Sequence, residues 1–174
     1  MHARRRIEQR VYALSRRRPV TGVPGTGRVA SRQDRDLLVE WTTAFRDEAL
    51  AANAPQRDAT SVVDAGSKPE REGFMAWEDE RRPMSLAGWG GETPNGVRVG
   101  PVYTPPKHRS RGCGSAVTAV VSARLLGAGG SFCLLYTDLS NPTSNRIYMA
   151  IGYQPVCDSV DYAFDGTRTP RVAS

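Results

Sequence analysis

The segment Pro105-Pro106-Lys107-His108-Arg109-Ser110-Arg111-Gly112-Cys113-Gly114 is where the architecture can first be read. An alternating run precedes it, Val97–Thr104 with valines at 97, 99 and 102. A segment with one apolar face, carrying Val117, Val120, Val121 and Leu125, follows from about Gly112 to Leu126. The pattern predicts a strand, a turn that proline forbids from pairing, and a helix. The first turn of a helix has N–H groups without partners, and the helix dipole adds partial positive charge there. Gly112 and Gly114 let those amides approach a ligand closely, and Lys107, Arg109 and Arg111 surround them with full charges. The predicted element is an anion site suited to a pyrophosphate, or more plainly a basic, solvated loop whose glycines serve a tight turn. A P-loop is excluded, because no Gly-Lys pair occurs in the chain. Gly25-Thr26-Gly27-Arg28-Val29-Ala30 matches a dinucleotide fingerprint in letters only, since no clear strand precedes it.

Upstream of the turn the signal is an antiparallel meander. Gly73–Glu78 and Met84–Trp89 flank the turn Arg82-Pro83, and Thr93-Pro94-Asn95-Gly96 turns the chain into Val97–Thr104. Ser31 with Asp34 three residues on reads as a capping box, and Leu38, Trp41, Phe45 and Ala49 share one helical face. A helix is therefore expected from Ser31 to about Asn53, stopped by Pro55. Residues 55–71 read as loop or a second short, polar helix.

Downstream, Gly127, Gly129 and Gly130 end the long helix. Ser131–Thr137 is a continuous apolar run that suits a strand covered on both faces. Asn141 followed by Pro142 starts a helix that Gly152 ends, and Tyr153–Cys157 and Val160–Phe164 read as the last two strands. The order makes a mixed α/β sheet with helices on both faces. Residues 1–30 read as a basic, flexible arm, within which Arg10–Leu14 forms a short strand or a helical turn. The folded domain is expected over 31–166 and a disordered tail over 167–174.

Composition sets limits on function. The net charge of +6 resides in residues 1–18, where seven arginines face the single acid Glu8; the rest of the chain holds equal numbers of basic and acidic side chains. The body is neutral, so the surface as a whole does not argue for nucleic acid. No apolar run approaches the roughly 18 residues that span a bilayer, and no apolar stretch follows the N-terminal arginines as in a secretory signal. A cytoplasmic protein without a membrane partner is expected. Cys113, Cys133 and Cys157 are widely spaced and the only histidines are His2 and His108, so no metal site is expected.

Arg109-Ser110-Arg111-Gly112-Cys113-Gly114 fits the Arg/Gln-x-x-Gly-x-Gly/Ala signature of the GNAT-type N-acetyltransferases. Asn141–Tyr153 resembles the family's Asn-x-x-Ala/Ser-x-x-Leu/Ile-Tyr-x-x-x-Gly-Phe/Tyr block, in the right order and at a normal separation. The resemblance implies an α/β (α+β) fold with a GNAT-like mixed, mostly antiparallel sheet and helices on both faces. It implies acetyl-CoA as cosubstrate and direct transfer of the acetyl group to an amine, a small molecule or peptide, in a ternary complex. Relatives with this pattern often have a further acetyltransferase-like half upstream. The chain is accordingly expected to be the C-terminal catalytic portion of a longer two-half member, its arm a linker remnant, and to pair with itself as a homodimer.

Site residues follow from the same resemblance. The backbone of Val102, Tyr103 and Thr104 would pair with the pantetheine arm. Amides of Arg109, Ser110, Arg111, Gly112, Cys113, Gly114 and Ser115 would hold the pyrophosphate. Asn141 would contact the cofactor, serve as a helix N-cap, or both. Tyr148 matches the tyrosine that protonates the departing thiolate, with a packing tyrosine as the plainer alternative. No acid lies on Val97–Thr104 and Glu92 lies in a turn, so Asp138 is the candidate base, with a turn role, a water relay or bulk solvent as alternatives. Cys113 fills the variable position between the glycines and reads as structural, and His108 as a loop residue. The acceptor would enter near Trp77, Trp89 and residues 55–71, unless the tryptophans are core. Two other functions fit the residues: a non-catalytic CoA-binding module, and nucleic-acid binding through the arginine arm.

Overall fold

The computed structural model describes residues 2–49, 58–65, 72–91 and 93–165. Its centre is the meander β3 (Gly73–Asp79), β4 (Arg82–Gly90) and β5 (Gly96–Tyr103), antiparallel throughout. Alternation along these strands sorts their side chains. Met75, Trp77, Ala87, Trp89 and Val99 face the long helix α3 (Cys113–Gly127), whereas Phe74, Leu86 and Tyr103 pack against Leu38, Trp41 and Val63 on the other side. Leu38 and Trp41 belong to α1 (Arg35–Ala49) and Val63 to α2 (Ala59–Ala65). Each fully buried aliphatic or aromatic side chain of these two clusters contributes about 1.5–3 kcal/mol.

The capping box at Ser31 is present. Ser31 Oγ accepts from the Gln33 amide, and Asp34 accepts from the Ser31 amide at 2.7 Å; it caps a short 3-10 turn, Arg32–Asp34, that leads into α1. Asp34 is also held by Arg28 at 2.7 and 2.8 Å, which draws its carboxyl down to about 2. The segment Gly25–Ala30 contains an edge strand, β2 (Thr26–Val29), paired with β3. Its dinucleotide-like letters therefore mark no phosphate loop. The expected end of α1 near Asn53, Glu92 and the tail 167–174 lie outside the described residues.

The arm departs most from its reading as a flexible segment. His2–Leu14 form β1, a thirteen-residue strand lying between β6 (Phe132–Asp138) and β7 (Gln154–Asp165), antiparallel to both. The sheet order is β2-β3-β4-β5-β6-β1-β7. Among the described side chains of β1, only Tyr12 and Leu14 are buried apolar anchors, each 1% exposed. They are too few to signal a strand in isolation, but suffice once neighbours supply hydrogen bonds on both edges. The same partner carries the chain past Cys157 without a break, so the two short terminal strands expected there are one strand, β7.

α3 and α4 (Pro142–Ile151) cover one face of the sheet, and α1 and α2 the other. Asn145 of α4 ties the junction. Its Oδ1 accepts from the Tyr12 hydroxyl at 3.2 Å and from Thr137, and its Nδ2 donates to the carbonyls of Asn141 at 2.9 Å and Asp138 at 3.3 Å. The two halves of the sheet meet at a short seam. The parallel ladder between β5 and β6 runs only from Gly96–Arg98 to Phe132–Leu134.

Candidate active site

Beyond that seam β5 and β6 part. A bulge marks the place, where Gly100 and Pro101 together stand opposite Gly88 of β4. A β-carbon on Gly88 would lie 3.0 Å from the Gly100 oxygen and 3.0 Å from Pro101 Cδ, so the bulge favours glycine there. Bulges bend the strand that carries them, and this one falls where pairing to β6 stops. The opening is part of a cavity of about 900 Å³ that passes through the sheet. Val99–Val102 line one side and Leu135–Asp138 the other; Thr42, Phe45 and Arg46 of α1 cover it from one face, and Tyr148 of α4 reaches it from the opposite face.

Tyr148 is partly buried and packs edge-to-face on Tyr153, with ring centres 6.0 Å apart. Desolvation by its surroundings pushes its phenol up to about 12. Among the described residues its hydroxyl has no hydrogen-bond partner. It is a weak acid with a free O–H in a cleft. Tyr153, by contrast, spends its hydroxyl on Ser122 Oγ at 2.8 Å inside the core.

The turn between β5 and α3 keeps the strand-turn-helix form its residues predict. Ser110 and Gly112 take left-handed backbone, φ 61° and 79°, and a β-carbon on Gly112 would meet Val23 Cγ2 at 2.8 Å. Gly112 is the N-cap and offers no side chain, so the first-turn amides at Cys113, Gly114 and Ser115 remain uncapped. Cys113 itself is buried, and burial raises its thiol, as suits a packing residue. Burial and the cations Lys107 and Arg111 lower His108.

Arg109 is already engaged. Its Nε donates to the Thr104 carbonyl at 3.0 Å, and its guanidinium pairs with Glu48 of α1. Glu48 also accepts from the Tyr103 hydroxyl at 2.9 Å. Desolvation would raise that carboxyl, but the Arg109 and Tyr103 hydrogen bonds outweigh it and hold it low. Sequence reasoning missed Glu48 because a partner 61 residues away leaves no local trace.

Of the site residues expected from sequence, Val102, Asp138, Asn141 and Tyr148 line the cavity. Tyr103 and Thr104 do not; their carbonyls accept from Ser85 and Arg109 respectively. Residues 109–115 lie past the end of β5, outside the cavity lining. Asn141 caps α4, its Oδ1 accepting from the Ser144 amide at 3.1 Å. Asp138 Oδ1 accepts from the Ser140 amide and hydroxyl, both at 2.7 Å, so the turn role is occupied and only Oδ2 is free of those bonds. Trp77 and Trp89 both pack on the α3 side of the sheet. Trp77 Nε1 donates to the Pro24 carbonyl at 2.9 Å, and the Trp89 ring lies 5.6 Å from the Arg124 guanidinium of α3, although Trp89 also lines the cavity.

A family model described as FR47-like protein matches residues 78–160, from the end of β3 into β7. A GCN5-related N-acetyltransferase from Sphaerobacter thermophilus superposes with a TM-score of 0.70 at 20% identity, covering 92% of this chain and 52% of that one. One from Kribbella flavida gives 0.67 at 20% identity, covering 94% and 60%. A Clostridium acetobutylicum protein described as a predicted acetyltransferase, solved with acetyl-CoA, gives 0.60 at 16% identity, covering 74% and 89%. No curated protein matches the chain. At such identities the likeness is one of fold, and the chain spans only 52% and 60% of the first two structures. Among the described residues no helix is long and apolar enough to cross a membrane. The chain shares its fold with these GNAT-type N-acetyltransferase structures, and the FR47-like match spans the strands and helices that carry the candidate site.

Proposed function

We propose that this chain transfers the acetyl group of acetyl-CoA directly to an amine in a ternary complex, with Tyr148 as general acid. The observation that carries the reading is the opening between β5 and β6, with the free Tyr148 hydroxyl on its wall. The strand edge at Val102 is without a β6 partner and suits the amide-bearing pantetheine arm. The uncapped amides at Cys113–Ser115 suit the pyrophosphate, with Ser110 and Gly112 curling the turn toward it. Asn141 keeps its cap and has Nδ2 left for the cofactor.

Attack by the amine nitrogen on the thioester carbonyl forms the C–N bond, and collapse of the intermediate breaks C–S. The sulfur leaves with the electron pair and takes a proton from Tyr148, whose raised pKa keeps the phenol protonated at neutral pH. The protons lost by the amine pass to Asp138 Oδ2 or to cavity water, and one returns to the tyrosinate. Counted from the ammonium form of the acceptor, the nitrogen loses two protons, one of which replaces the proton given to sulfur, so one proton is released.

Thiol release from acetyl-CoA in the presence of amines tests the reading. Tyr148→Phe is expected to lower kcat roughly 100-fold with the KM for acetyl-CoA unchanged. An unaltered rate overturns the acid assignment. Binding of acetyl-CoA without turnover of any amine would favour the non-catalytic module.

A further inference from the structure

We infer that the acceptor is a zwitterion of amino-acid size, its carboxylate held by Arg98 and its amino group by Glu72; the inference deepens the proposed function and rests on it. Val97 and Val99 pack toward α3, so alternation turns Arg98 of β5 to the α1 face, where it lines the cavity. Its cross-strand neighbour on β4 is Gly90. That glycine leaves space which Glu72 overlies. A β-carbon on Gly90 would lie 3.1 Å from Glu72 Cγ and 3.3 Å from its carboxyl carbon. On the other side the Arg98 guanidinium sits over the Tyr136 ring, 5.1 Å from its centre.

A guanidinium and a carboxylate thus stand on one wall of the same cavity, separated by a residue without a side chain. Yet they form no salt bridge with each other or with any other described residue. Arg10, Arg28, Arg35 and Arg109 behave differently, each closing on a carboxylate. Opposite charges left open across a gap are complementary to a ligand carrying both. A guanidinium stacked on an aromatic ring keeps its edge N–H groups free for a bidentate carboxylate. An ammonium then falls toward Glu72, which lines the same cavity. Polyamines and aminoglycosides offer no carboxylate to Arg98.

The experiment uses the full chain and two readouts. Calorimetry with CoA measures cofactor binding. Thiol release from acetyl-CoA then compares the common amino acids, their carboxamides and spermidine as acceptors. Losing a charge-assisted hydrogen-bonded pair is expected to cost roughly 10- to 100-fold. Amino acids should therefore exceed their carboxamides in kcat/KM by that factor. Arg98→Gln should abolish the preference by raising the amino-acid KM, leaving the acetyl-CoA KM in place, and Arg98→Lys should recover part of it. Glu72→Gln should raise the KM of both amino acids and carboxamides. Carboxamides or spermidine matching amino acids, or an amino-acid KM that ignores Arg98→Gln, would overturn the inference while leaving the transferase reading intact. Failure to bind CoA, or binding with no turnover of any amine, would instead overturn the proposed function beneath it.

Discussion

Strands β2 to β5 follow one another in sequence and in space, whereas β6, β1 and β7 join segments separated by more than a hundred residues. The first half is a local meander, whose turns and alternation carry their own instructions. The second half exists only because the N-terminal strand supplies hydrogen bonds to two neighbours at once. The halves touch through a three-residue ladder, Gly96–Arg98 with Phe132–Leu134. The opening proposed as the site is the place where they fail to pair. The cleft therefore depends on a strand that contributes almost nothing to its lining, Gln9 apart.

Removing residues 1–14 attacks this dependence most severely. β6 would lose one ladder, β7 its partner, and the core Tyr12 and Leu14. The expected result is loss of cooperative thermal unfolding, with recovery on adding a 1–14 peptide. A melt within a few degrees of the full chain would show that the second half stands without β1.

Asn145→Ala cuts the side-chain links between α4, Tyr12 and Thr137, and is expected to cost about 2–4 kcal/mol in urea denaturation. A smaller loss than about 1 kcal/mol would mean that the backbone ladders alone hold the second half. In the first half, Gly112→Ala forces a side chain into left-handed backbone against Val23. It should cost about 2 kcal/mol and raise the KM for acetyl-CoA. An unchanged KM would detach the turn from cofactor binding.

The smallest effect is pH-dependent. The folded-state Asp34 carboxyl, held by Arg28, titrates at about 2, below the ordinary carboxylate range. Its contribution is therefore complete above pH of about 4 and is lost as pH falls toward 2. Asp34→Asn should cost about 1 kcal/mol at pH 7 and leave stability at pH 2 unchanged, measured by urea denaturation at both. Equal losses at both pH values would assign the effect to helix capping rather than to charge.

The site was legible where its residues are near neighbours. Arg109–Gly114 carries its turn, glycines and charge within six positions, and the Asn141–Tyr153 block brings Tyr148 one helical turn past Asn145. Glu48, Glu72, Arg98 and Tyr136 were not legible as site residues, because each meets its neighbours across the sheet or from another helix. A lone arginine between Val97 and Val99 was the one available hint. The choice between core and cavity wall for Trp77 and Trp89 stayed open for the same reason, since which face a strand buries depends on what packs over it.

Propensity and spacing over a few residues were enough to specify the meander, the glycine turn and the two motif helices. Long-range packing had to settle that the arginine-rich beginning is a strand paired on both edges, that β7 is continuous, and which charges share the cavity. Backbone pairing is open to almost any sequence, so the partner of a strand is chosen by the edges and core left for it once the rest of the chain has folded.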